Sequence, residues 1–402
     1  MEGGAGGGRL GRRAALAGAG AGGLAAAGGG RRPAQAVGVS GPPPPAGPAP
    51  PREAAALVTG ANSGIGLGVA VGLARSGFEV IPGCRTRAKA SEAARVISSA
   101  VPGARVRVPE SGLELASLTA VKEYAAELRA SDKGAPLAVL VNNAGVAWTP
   151  ELRTADGLEL QFGVNHLGPF LLTTLLLDTL RGNARDGLPA RVVNVSSDAH
   201  LAGRISPATL VDGSPPKSYS RFGAYCDSKL CNVLFARELA RREAQRGAAG
   251  GAATGGALVS FAVHPGIVDT MLVRYLFPEW VLNSREQTPE LSARVAQGLG
   301  LRSADEGAQG ALWLATSDRA PALSGGYFVG PAEVRQPSAQ ARDDDLARGL
   351  WAASEVLAAR ALGTAPPAGA LEVALGAGGG GGAELGADLV PGLVRMLATN
   401  FA

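Results

Sequence analysis

The sequence predicts an α/β protein with a doubly wound, mostly parallel sheet and helices on both faces of that sheet. Short apolar runs alternate with longer segments of helical periodicity from about Glu53 to Leu362, which is the order that parallel strands and crossover helices require. A glycine-rich turn follows the first run, at the junction where such folds bind nucleotides. With 46% hydrophobic and 18% charged residues, the 402-residue chain can bury a sizeable core.

The predicted elements follow from the apolar runs in chain order. The predicted strands are Ala55–Thr59, Glu79–Ile81, Arg105–Val108, Ala138–Asn142, Ala190–Val195, Val259–Val263 and Tyr327–Val329. The predicted helices between them include Ile65–Arg75, Leu118–Ala130, Phe170–Leu180 and Ala224–Arg242. Right-handed crossovers would join these strands into a single sheet. Pro82 lacks an N–H group, so we expect the second strand to stop early.

Residues 1–52 are of low complexity and are predicted to be a disordered or targeting segment. They are rich in glycine, alanine and proline, and their arginines stand against a single acid, Glu2. An arginine-rich, acid-poor leader is typical of organelle import, so a plastid is the first predicted location and the cytoplasm the alternative. Arg12 and Arg13, followed by an apolar run and Ala34-Gln35-Ala36, also resemble a twin-arginine export signal.

Two other segments are rich in small residues. Gly247–Gly256 is predicted to be a flexible surface insertion. Residues 363–402 are predicted to be an Ala/Gly-rich tail, with a short helix at Leu389–Leu397. Glycine and alanine bury too little apolar surface to offset the entropy of ordering, so we expect no core beyond Leu362. The predicted folded domain therefore spans residues 53–362.

Composition excludes several classes of site. The net charge is only +4 and the arginines are scattered without neighbouring aromatic residues, which argues against a nucleic-acid surface. Three cysteines are too few for a disulfide framework, and their odd number would leave one unpaired. Such a set is typical of a reduced compartment. The three histidines, His166, His200 and His264, lack metal-ligand spacing and are predicted to be structural.

The glycine turn after the first strand reads Thr59-Gly60-Ala61-Asn62-Ser63-Gly64-Ile65-Gly66. Glycines let the backbone approach a ligand closely, and the helix behind them directs its positive N-terminus at phosphate. A dinucleotide site requires these features between a strand and a helix. The pattern resembles the T-G-x-x-x-G-I-G signature of the short-chain dehydrogenase/reductase family.

The resemblance continues along the chain in the family's order. NNAG ends the fourth predicted strand, FGVNHLGPFLLT contains the family's helix asparagine, NVSSDAH contains the catalytic serine, and AYCDSK matches Y-x-x-x-K. The resemblance implies that the catalytic residues are Asn165, Ser197, Tyr225 and Lys229. It implies that the cofactor-binding residues include Gly60, Ser63, Gly64, Ile65, Gly66, Asn143, Gly145, Tyr225, Lys229, Pro265, Gly266 and Thr270.

Tyr225 and Lys229 are four residues apart and so share one face of a helix. An ammonium about 5 Å from a phenol, at an effective dielectric of about 20, stabilises the phenolate by about 3 kcal/mol. We therefore expect Lys229 to lower the pKa of Tyr225 by about two units and make it a general acid–base. By the resemblance, Ser197 would hold the substrate oxygen, Lys229 would bind the nicotinamide ribose, and Asn165 would position Lys229 through water.

The end of the second predicted strand bears on the choice of coenzyme. An NAD enzyme of this fold normally has an acid there, whereas this chain has Cys84 followed by Arg85. A cation without a neighbouring carboxylate suits a 2′-phosphate, so Arg85 is the predicted phosphate ligand and NADP(H) the predicted cofactor. The aspartate usual before the third helix is replaced by Glu114.

The particular residues within these motifs indicate a branch of the family. CRT, LELASL, QFGVNHLGPFLLT and NVSSDAH resemble the retinol dehydrogenase-like branch, which includes the WW-domain oxidoreductases. AYCDSKLCN also resembles light-dependent protochlorophyllide reductase, although Asn142 and Ile267 replace cysteines of that enzyme. The 28-position step from Ser197 to Tyr225 suggests a flap over the substrate. An apolar segment at residues 271–280 is predicted to be a lid over a lipophilic substrate, with buried core as the alternative.

The predicted function is NADPH-dependent interconversion of a carbonyl and an alcohol on a lipophilic small molecule. The alternatives are a light-driven reductase of the chlorophyll pathway and a non-catalytic, NADP-binding interaction protein. The Tyr225–Lys229 pair argues against the last, because a binding module has no use for it. Peripheral membrane association and a homo-oligomer are both compatible with the sequence.

Overall fold

The computed structural model describes residues 54–130, 134–184, 189–212, 219–249, 258–268 and 301–376. Within them lies a seven-stranded sheet in the order β2-β1-β3-β4-β5-β6-β7. Neighbouring strands are parallel except β6 and β7, which are antiparallel. The strands are β1 (Ala55–Thr59), β2 (Glu79–Gly83), β3 (Leu137–Asn142), β4 (Ala190–Val195), β5 (Leu258–Val263), β6 (Tyr327–Phe328) and β7 (Val334–Arg335). The predicted doubly wound fold is confirmed.

Helices cover both faces of this sheet. Along the described chain they are α1 (Gly64–Arg75), α2 (Arg87–Ala100), α3 (Leu118–Ala130), α4 (Leu160–Phe162), α5 (Gly168–Asn183), α6 (Pro207–Asp212), α7 (Arg221–Ala248), α8 (Ala304–Thr316), α9 (Asp344–Ala361) and α10 (Ala370–Gly376). One apolar cluster joins α1, α2 and α8 to the sheet, and a second joins α3, α5, α7 and α9 to the opposite face. The strands are apolar on both faces for this reason.

The outer edge of β2 differs from the sequence prediction at two points. Residues Arg105–Val108 are not a strand but make a single parallel bridge from Val106 to Val80. β2 does not stop before Pro82 but runs to Gly83. Glu79 donates inward to the carbonyl of Ala54, just before β1, and Val80 donates outward to the carbonyl of Arg105, so the N–H that Pro82 lacks would point outward as well. Proline therefore leaves the pairing with β1 intact and prevents the outer pairing from continuing.

The folded region extends beyond Leu362, so the expectation that the chain buries no core there is wrong. Ala370 and Ala374 of α10 are buried against Val211 of α6 and against Ala353 and Val356 of α9. Alanines spaced by four residues share one helix face, and small side chains let α10 lie close to its neighbours. The domain boundary predicted at Leu362 is therefore too early.

Several predictions fall on residues outside the described ranges. These are the segment 1–52, residues 250–256 of the insertion, Thr270, the apolar segment 271–280 and the helix at 389–397. The insertion begins later than predicted, because Gly247 and Ala248 belong to the last turn of α7.

One helical run in the described part of the chain is long and apolar enough to cross a membrane. It spans Leu160–Asn183, with a mean hydropathy of 1.2. Because 83% of its 18-residue apolar window is buried inside the protein, this run is typical of a core helix.

Candidate active site

The glycine turn joins β1 to α1 in the way that the sequence predicts. Gly60 and Gly64 have φ values of +70° and +53°, a region that side chains other than glycine enter at a cost. A methyl group added at Gly66 would lie 2.4 Å from the Gly60 carbonyl oxygen and 2.4 Å from Asn143 Nδ2. The turn is therefore too compact for larger residues.

Thr59 joins this turn to the end of β3, a role that the sequence analysis missed. Its Oγ1 accepts hydrogen bonds from the amides of Asn143 and Ala144, both at 2.9 Å. The Asn143 side chain donates in return to the Thr59 carbonyl at 2.8 Å. Thr59 is fully buried, so these bonds fix the turn against the NNAG segment. The signal was its place at the head of the T-G pattern.

The N-terminus of α1 fits the phosphate groups of a dinucleotide. The N-cap residue Ser63 is extended, with φ of −164°, and its side chain caps no amide among the described residues. The first amides of the helix are therefore available to an anion, which the helix dipole also favours. Asn62 and Ser63 are exposed, and Gly64 and Ile65 are partly exposed. The predicted cofactor residues of the turn thus surround an open, positively polarised helix end.

Asn165 lies in a π-helical turn, Gly163–Leu167, between α4 and α5. Its Oδ1 accepts from the Val146 amide at 2.8 Å, and its Nδ2 donates to the Val146 carbonyl and to Ser228 Oγ, both at 2.9 Å. A methyl group added at Gly145 would lie 3.1 Å from Asn165 Oδ1 and 3.7 Å from Lys229 Nζ. Asn165, Gly145 and Lys229 therefore come together as predicted, and π-turns often occur at such functional sites.

Tyr225 and Lys229 lie one turn apart on α7 and face the end of β4. Lys229 Nζ donates to the Val195 carbonyl at 3.1 Å and lies 5.6 Å from the centroid of the Tyr225 ring. Ser196 Oγ donates to the Lys229 carbonyl at 2.7 Å, which ties α7 to the strand end. Ser197 follows β4, and its side chain is close enough to Tyr225 to oppose the rise in the pKa of the phenol. The predicted serine, tyrosine and lysine thus form one site.

Burial controls the ionisation of this site. It raises the pKa of Tyr225 above its usual value, with the nearby Ser197 side chain opposing the change. It also lowers the pKa of Lys229 to about 8. The expectation that Lys229 would make the phenol more acidic is therefore not met, because the loss of hydration on burial is the largest influence on its pKa. Tyr225 is protonated at neutral pH, and Lys229 is a cation that loses its proton near pH 8.

Pro265 and Gly266 follow β5 at the same edge of the sheet. Gly266 has φ of +90°, and a methyl group added to it would lie 2.6 Å from Arg302 Cδ. Arg302 donates from Nη1 to the Pro265 carbonyl at 3.3 Å and from its amide to the Ile267 carbonyl at 2.8 Å. Arg302 therefore supports this segment. Thr270, predicted with it, lies outside the described residues.

Asp198 anchors the segment that carries Ser197, which the sequence analysis also missed. It accepts from Tyr327 Oη at 2.8 Å and from Arg335 Nη1 at 3.2 Å, and its Oδ2 lies 3.5 Å from His264 Nε2. Burial lowers the pKa of His264 to about 4, although Asp198 opposes this. The only sequence signal for Asp198 was its position directly after Ser197.

His200 holds the backbone of Ser197 from the other side. Its Nδ1 lies 2.8 Å from the Ser197 carbonyl, and its Nε2 lies 3.3 Å from the Ser338 amide. Because the amide can only donate, Nε2 accepts and the proton is on Nδ1. His166 is buried among aromatic rings and bonds to Ser354 Oγ at 2.9 Å. Both histidines have the structural character that the sequence predicts.

Arg85 lies just beyond β2, where a coenzyme phosphate was predicted. Its side chain is 57% exposed and pairs through Nε with Glu114 Oε2 at 3.0 Å. Glu114 also accepts from the Ala116 amide at 3.1 Å. Cys84 is buried, and the charge of Lys89 lies near enough to oppose the rise in its pKa. Two cations therefore flank this strand end, but a carboxylate neutralises part of the charge.

Comparison with known proteins agrees with this site. A family model described as short chain dehydrogenase matches residues 54–209. Human retinol dehydrogenase 14 is 37% identical over 312 residues, which cover 75% of this chain and 85% of that protein. Human retinol dehydrogenase 12 is 40% identical over 298 residues, which cover 73% and 83%. The crystal structure of an uncharacterized Mycobacterium paratuberculosis protein is 32% identical, has a TM-score of 0.55, and is matched over 78% of this chain and 95% of its own.

A mostly parallel sheet with a nucleotide-binding turn, and a site where the half-buried Ser197 meets the buried Tyr225 and Lys229, together define a nicotinamide-dependent oxidoreductase. The chain belongs to the short-chain dehydrogenase/reductase family, in its retinol dehydrogenase-like branch. The similarity to protochlorophyllide reductase stays a prediction.

Proposed function

We propose that this protein is an NADPH-dependent oxidoreductase that interconverts a carbonyl and an alcohol on a lipophilic small molecule. The observation that carries the proposal is the contact of the half-buried Ser197 with the buried Tyr225, beside Lys229. This contact lies at the same sheet edge as the glycine turn, where a parallel α/β sheet binds its ligands.

The proton chemistry resides on Tyr225. Its raised pKa keeps the phenol protonated at neutral pH, so it can donate a proton to a carbonyl oxygen during reduction. Ser197 Oγ, which lies beside the phenol, can hold that oxygen in place. Reduction needs the protonated acid, and the burial that raises this pKa keeps Tyr225 in that form near neutrality.

The coenzyme would be held by the glycine turn, the amide end of α1, Lys229 and the Pro265–Gly266 segment. When bound, the nicotinamide supplies or accepts the hydride that the protein side chains cannot provide. Lys229 keeps a positive charge below about pH 8, which suits contact with ribose hydroxyls. Asn165 donates to the Val146 carbonyl and to Ser228, the residue before Lys229 on α7. These bonds hold the helix that carries Lys229 against the segment after β3.

NADPH is favoured by the charges beyond β2. A 2′-phosphate can accept paired, charge-assisted hydrogen bonds from a guanidinium, and the Arg85 side chain is exposed there. The strand end carries no acid, since Cys84 occupies the position that an NAD enzyme gives to a carboxylate. The Arg85–Glu114 pair must rearrange for bidentate contact, which reduces but does not reverse the preference.

A lipophilic substrate is supported by the apolar surroundings of Tyr225. The ring packs in a cluster with Ala147, Ala199 and Cys226, and Trp148, Ala202 and Phe222 lie against that cluster. This chain is 37–40% identical to proteins named retinol dehydrogenase. The similarity supports an apolar alcohol or aldehyde as the substrate.

The test is a coenzyme and substrate screen with the full-length protein. We expect NADPH oxidation with all-trans-retinal or a medium-chain aldehyde, and slower turnover with NADH. Steroid ketones and a short polar aldehyde serve as comparison substrates. The proposal fails if no carbonyl compound is reduced with either coenzyme while NADPH binds to the protein.

A further inference from the structure

Trp148 has an unusual backbone next to the proposed active site. Within the described residues, it and Ala332 are the two non-glycine residues with positive φ, and its φ is +55°. A large aromatic residue rarely enters this left-handed region, and such strain is concentrated at functional sites. Trp148 follows the NNAG segment by three positions, so the strain lies close to the coenzyme and the substrate.

A buried hydrogen-bond network holds Trp148 in this conformation. Its amide donates to Gln161 Oε1 at 2.8 Å. Gln161 is fully buried, and its Nε2 donates to Tyr219 Oη and to the Arg221 carbonyl, both at 3.0 Å. Tyr219 Oη in turn lies 3.2 Å from the next carbonyl in the segment, that of Thr149, and 3.0 Å from Glu159 Oε1, and either oxygen can accept its one proton. Gln161 of α4 and the Tyr219–Arg221 segment at the start of α7 thus fix the position of Trp148.

The effect of this conformation is to place the indole beside the catalytic phenol. The two ring centroids are 6.0 Å apart and the planes meet at 61°, an edge-to-face arrangement. The indole Nε1 is buried and has no hydrogen-bond partner among the described residues, although the side chain as a whole is only partly buried. Because Trp148 is only partly buried as a residue and its ring lies beside that of Tyr225, a molecule bound at Tyr225 can reach it.

We infer that Trp148 determines substrate specificity, by packing its ring against the flat, conjugated or extended apolar part of a carbonyl substrate whose oxygen is at Tyr225. The inference rests on the proposed function and deepens it. A short aliphatic aldehyde can place its carbonyl at Tyr225 without reaching the indole. A conjugated polyene aldehyde gains the ring contact, which makes Trp148 selective rather than generally required.

Trp148→Asn, Trp148→Ala and Trp148→Phe test this inference in the full-length protein. Asparagine removes the ring and adopts left-handed backbone more easily than tryptophan, so it protects the fold. Phenylalanine keeps a ring but lacks the N–H group. The first measurement is the dissociation constant of all-trans-retinal for the complex with NADP⁺, by quenching of the remaining tryptophans, because binding is then read without turnover.

We expect Trp148→Asn and Trp148→Ala to weaken retinal binding about tenfold or more, and Trp148→Phe to weaken it less than about threefold. The kcat/KM for hexanal should change less than that for retinal, and the NADPH dissociation constant should not change. Equal losses for retinal and hexanal would overturn the inference, because Trp148 would then only support the fold. Equal losses in Trp148→Phe and Trp148→Ala would overturn it too, because the N–H group rather than ring packing would be responsible.

If wild type binds retinal but reduces no aldehyde, the proposed function fails and the comparison of dissociation constants still decides the role of Trp148. If Trp148→Asn binds retinal as tightly as wild type does, Trp148 does not determine specificity.

Discussion

The coenzyme half of the site and the substrate half are built by different means. At the glycine turn, backbone groups and small residues make the surface, and Thr59 and Asn143 bond to main-chain atoms. Around Tyr225, side chains make the surface, and their pKa values are shifted by burial. The coenzyme half depends on close packing of backbone against backbone, so an added side-chain atom at the turn would disturb it. The substrate half depends on particular functional groups and is sensitive to their removal.

The largest expected effect comes from removing one functional group in the substrate half. Tyr225→Phe deletes the phenol oxygen and keeps the ring packing. Turnover should fall by at least about two orders of magnitude, the scale of general acid–base catalysis, while NADPH binding persists. Steady-state kinetics and a coenzyme titration measure the two effects.

Tyr124→Phe is the matched control for this change. Tyr124 is buried on α3, and its hydroxyl has no hydrogen-bond partner among the described residues. Its removal should leave turnover unchanged and should not destabilise the protein. A Tyr225→Phe variant with more than a tenth of wild-type turnover would contradict the assigned mechanism.

In the coenzyme half, the next largest effect comes from adding one methyl group. Gly66→Ala would place it 2.4 Å from the Gly60 carbonyl and from Asn143 Nδ2. Overpacking of this kind costs about 1–3 kcal/mol, so both unfolding free energy and NADPH affinity should fall. Urea denaturation and coenzyme titration measure them.

Gly182→Ala provides the control, because no described atom lies within 4 Å of the added methyl group in the last turn of α5. It should stabilise the protein by up to about 1 kcal/mol. If Gly66→Ala is as well tolerated as Gly182→Ala, the close packing of the turn is not what the coenzyme half requires.

Coenzyme preference tests Arg85, the charged side chain proposed to contact the 2′-phosphate in the coenzyme half. Arg85→Ala should raise the KM for NADPH roughly tenfold to a hundredfold and leave that for NADH nearly unchanged. Cys84→Asp should act in the same direction, because a carboxylate repels the 2′-phosphate and accepts from ribose hydroxyls. If Arg85→Ala weakens the binding of NADPH and NADH equally, the 2′-phosphate does not bind at this position.

The pH dependence of kcat/KM tests Lys229, which is proposed to serve both the coenzyme half and the substrate half. Burial places its pKa near 8, so the cation is present below that pH and is lost above it. The kcat/KM for NADPH reports the free enzyme and should fall by up to about tenfold per unit above pH 8. Lys229→Arg keeps its charge and should lack this break, whereas a flat wild-type profile from pH 7 to 9 would show that the cation is not needed.

The smallest expected effect is at Glu114. Glu114→Gln removes the charge that pairs with Arg85 and keeps the side-chain length. Exposed ion pairs are worth less than about 1 kcal/mol, so the preference for NADPH over NADH should increase by no more than about fivefold. Glu114→Asp keeps the charge on a shorter arm and is the control. A preference that decreases in Glu114→Gln would mean that Glu114 assists coenzyme binding.

Patterns that repeat over a few residues could be read from the sequence. Apolar runs of four to six residues predicted β1, β3, β4 and β5 nearly to the residue, because burial on both sheet faces leaves few polar positions. The spacing of four placed Tyr225 and Lys229 on one helix face, and the glycines located the turn. These features depend on backbone geometry within one element, which the local sequence encodes.

Features that depend on contacts between distant segments could not be read in this way. Three features depend on the fold bringing separate segments together. They are the sheet neighbour that the missing N–H of Pro82 would face, the pairing of Arg85 with Glu114, and the packing of α10. The same is true of the pKa of Tyr225, since spacing predicts a nearby cation but not the extent of burial. Trp148 is the clearest case: a glutamine thirteen residues away holds its backbone in a conformation that tryptophan does not favour. Long-range packing supplies the energy for that conformation, and no local pattern records it.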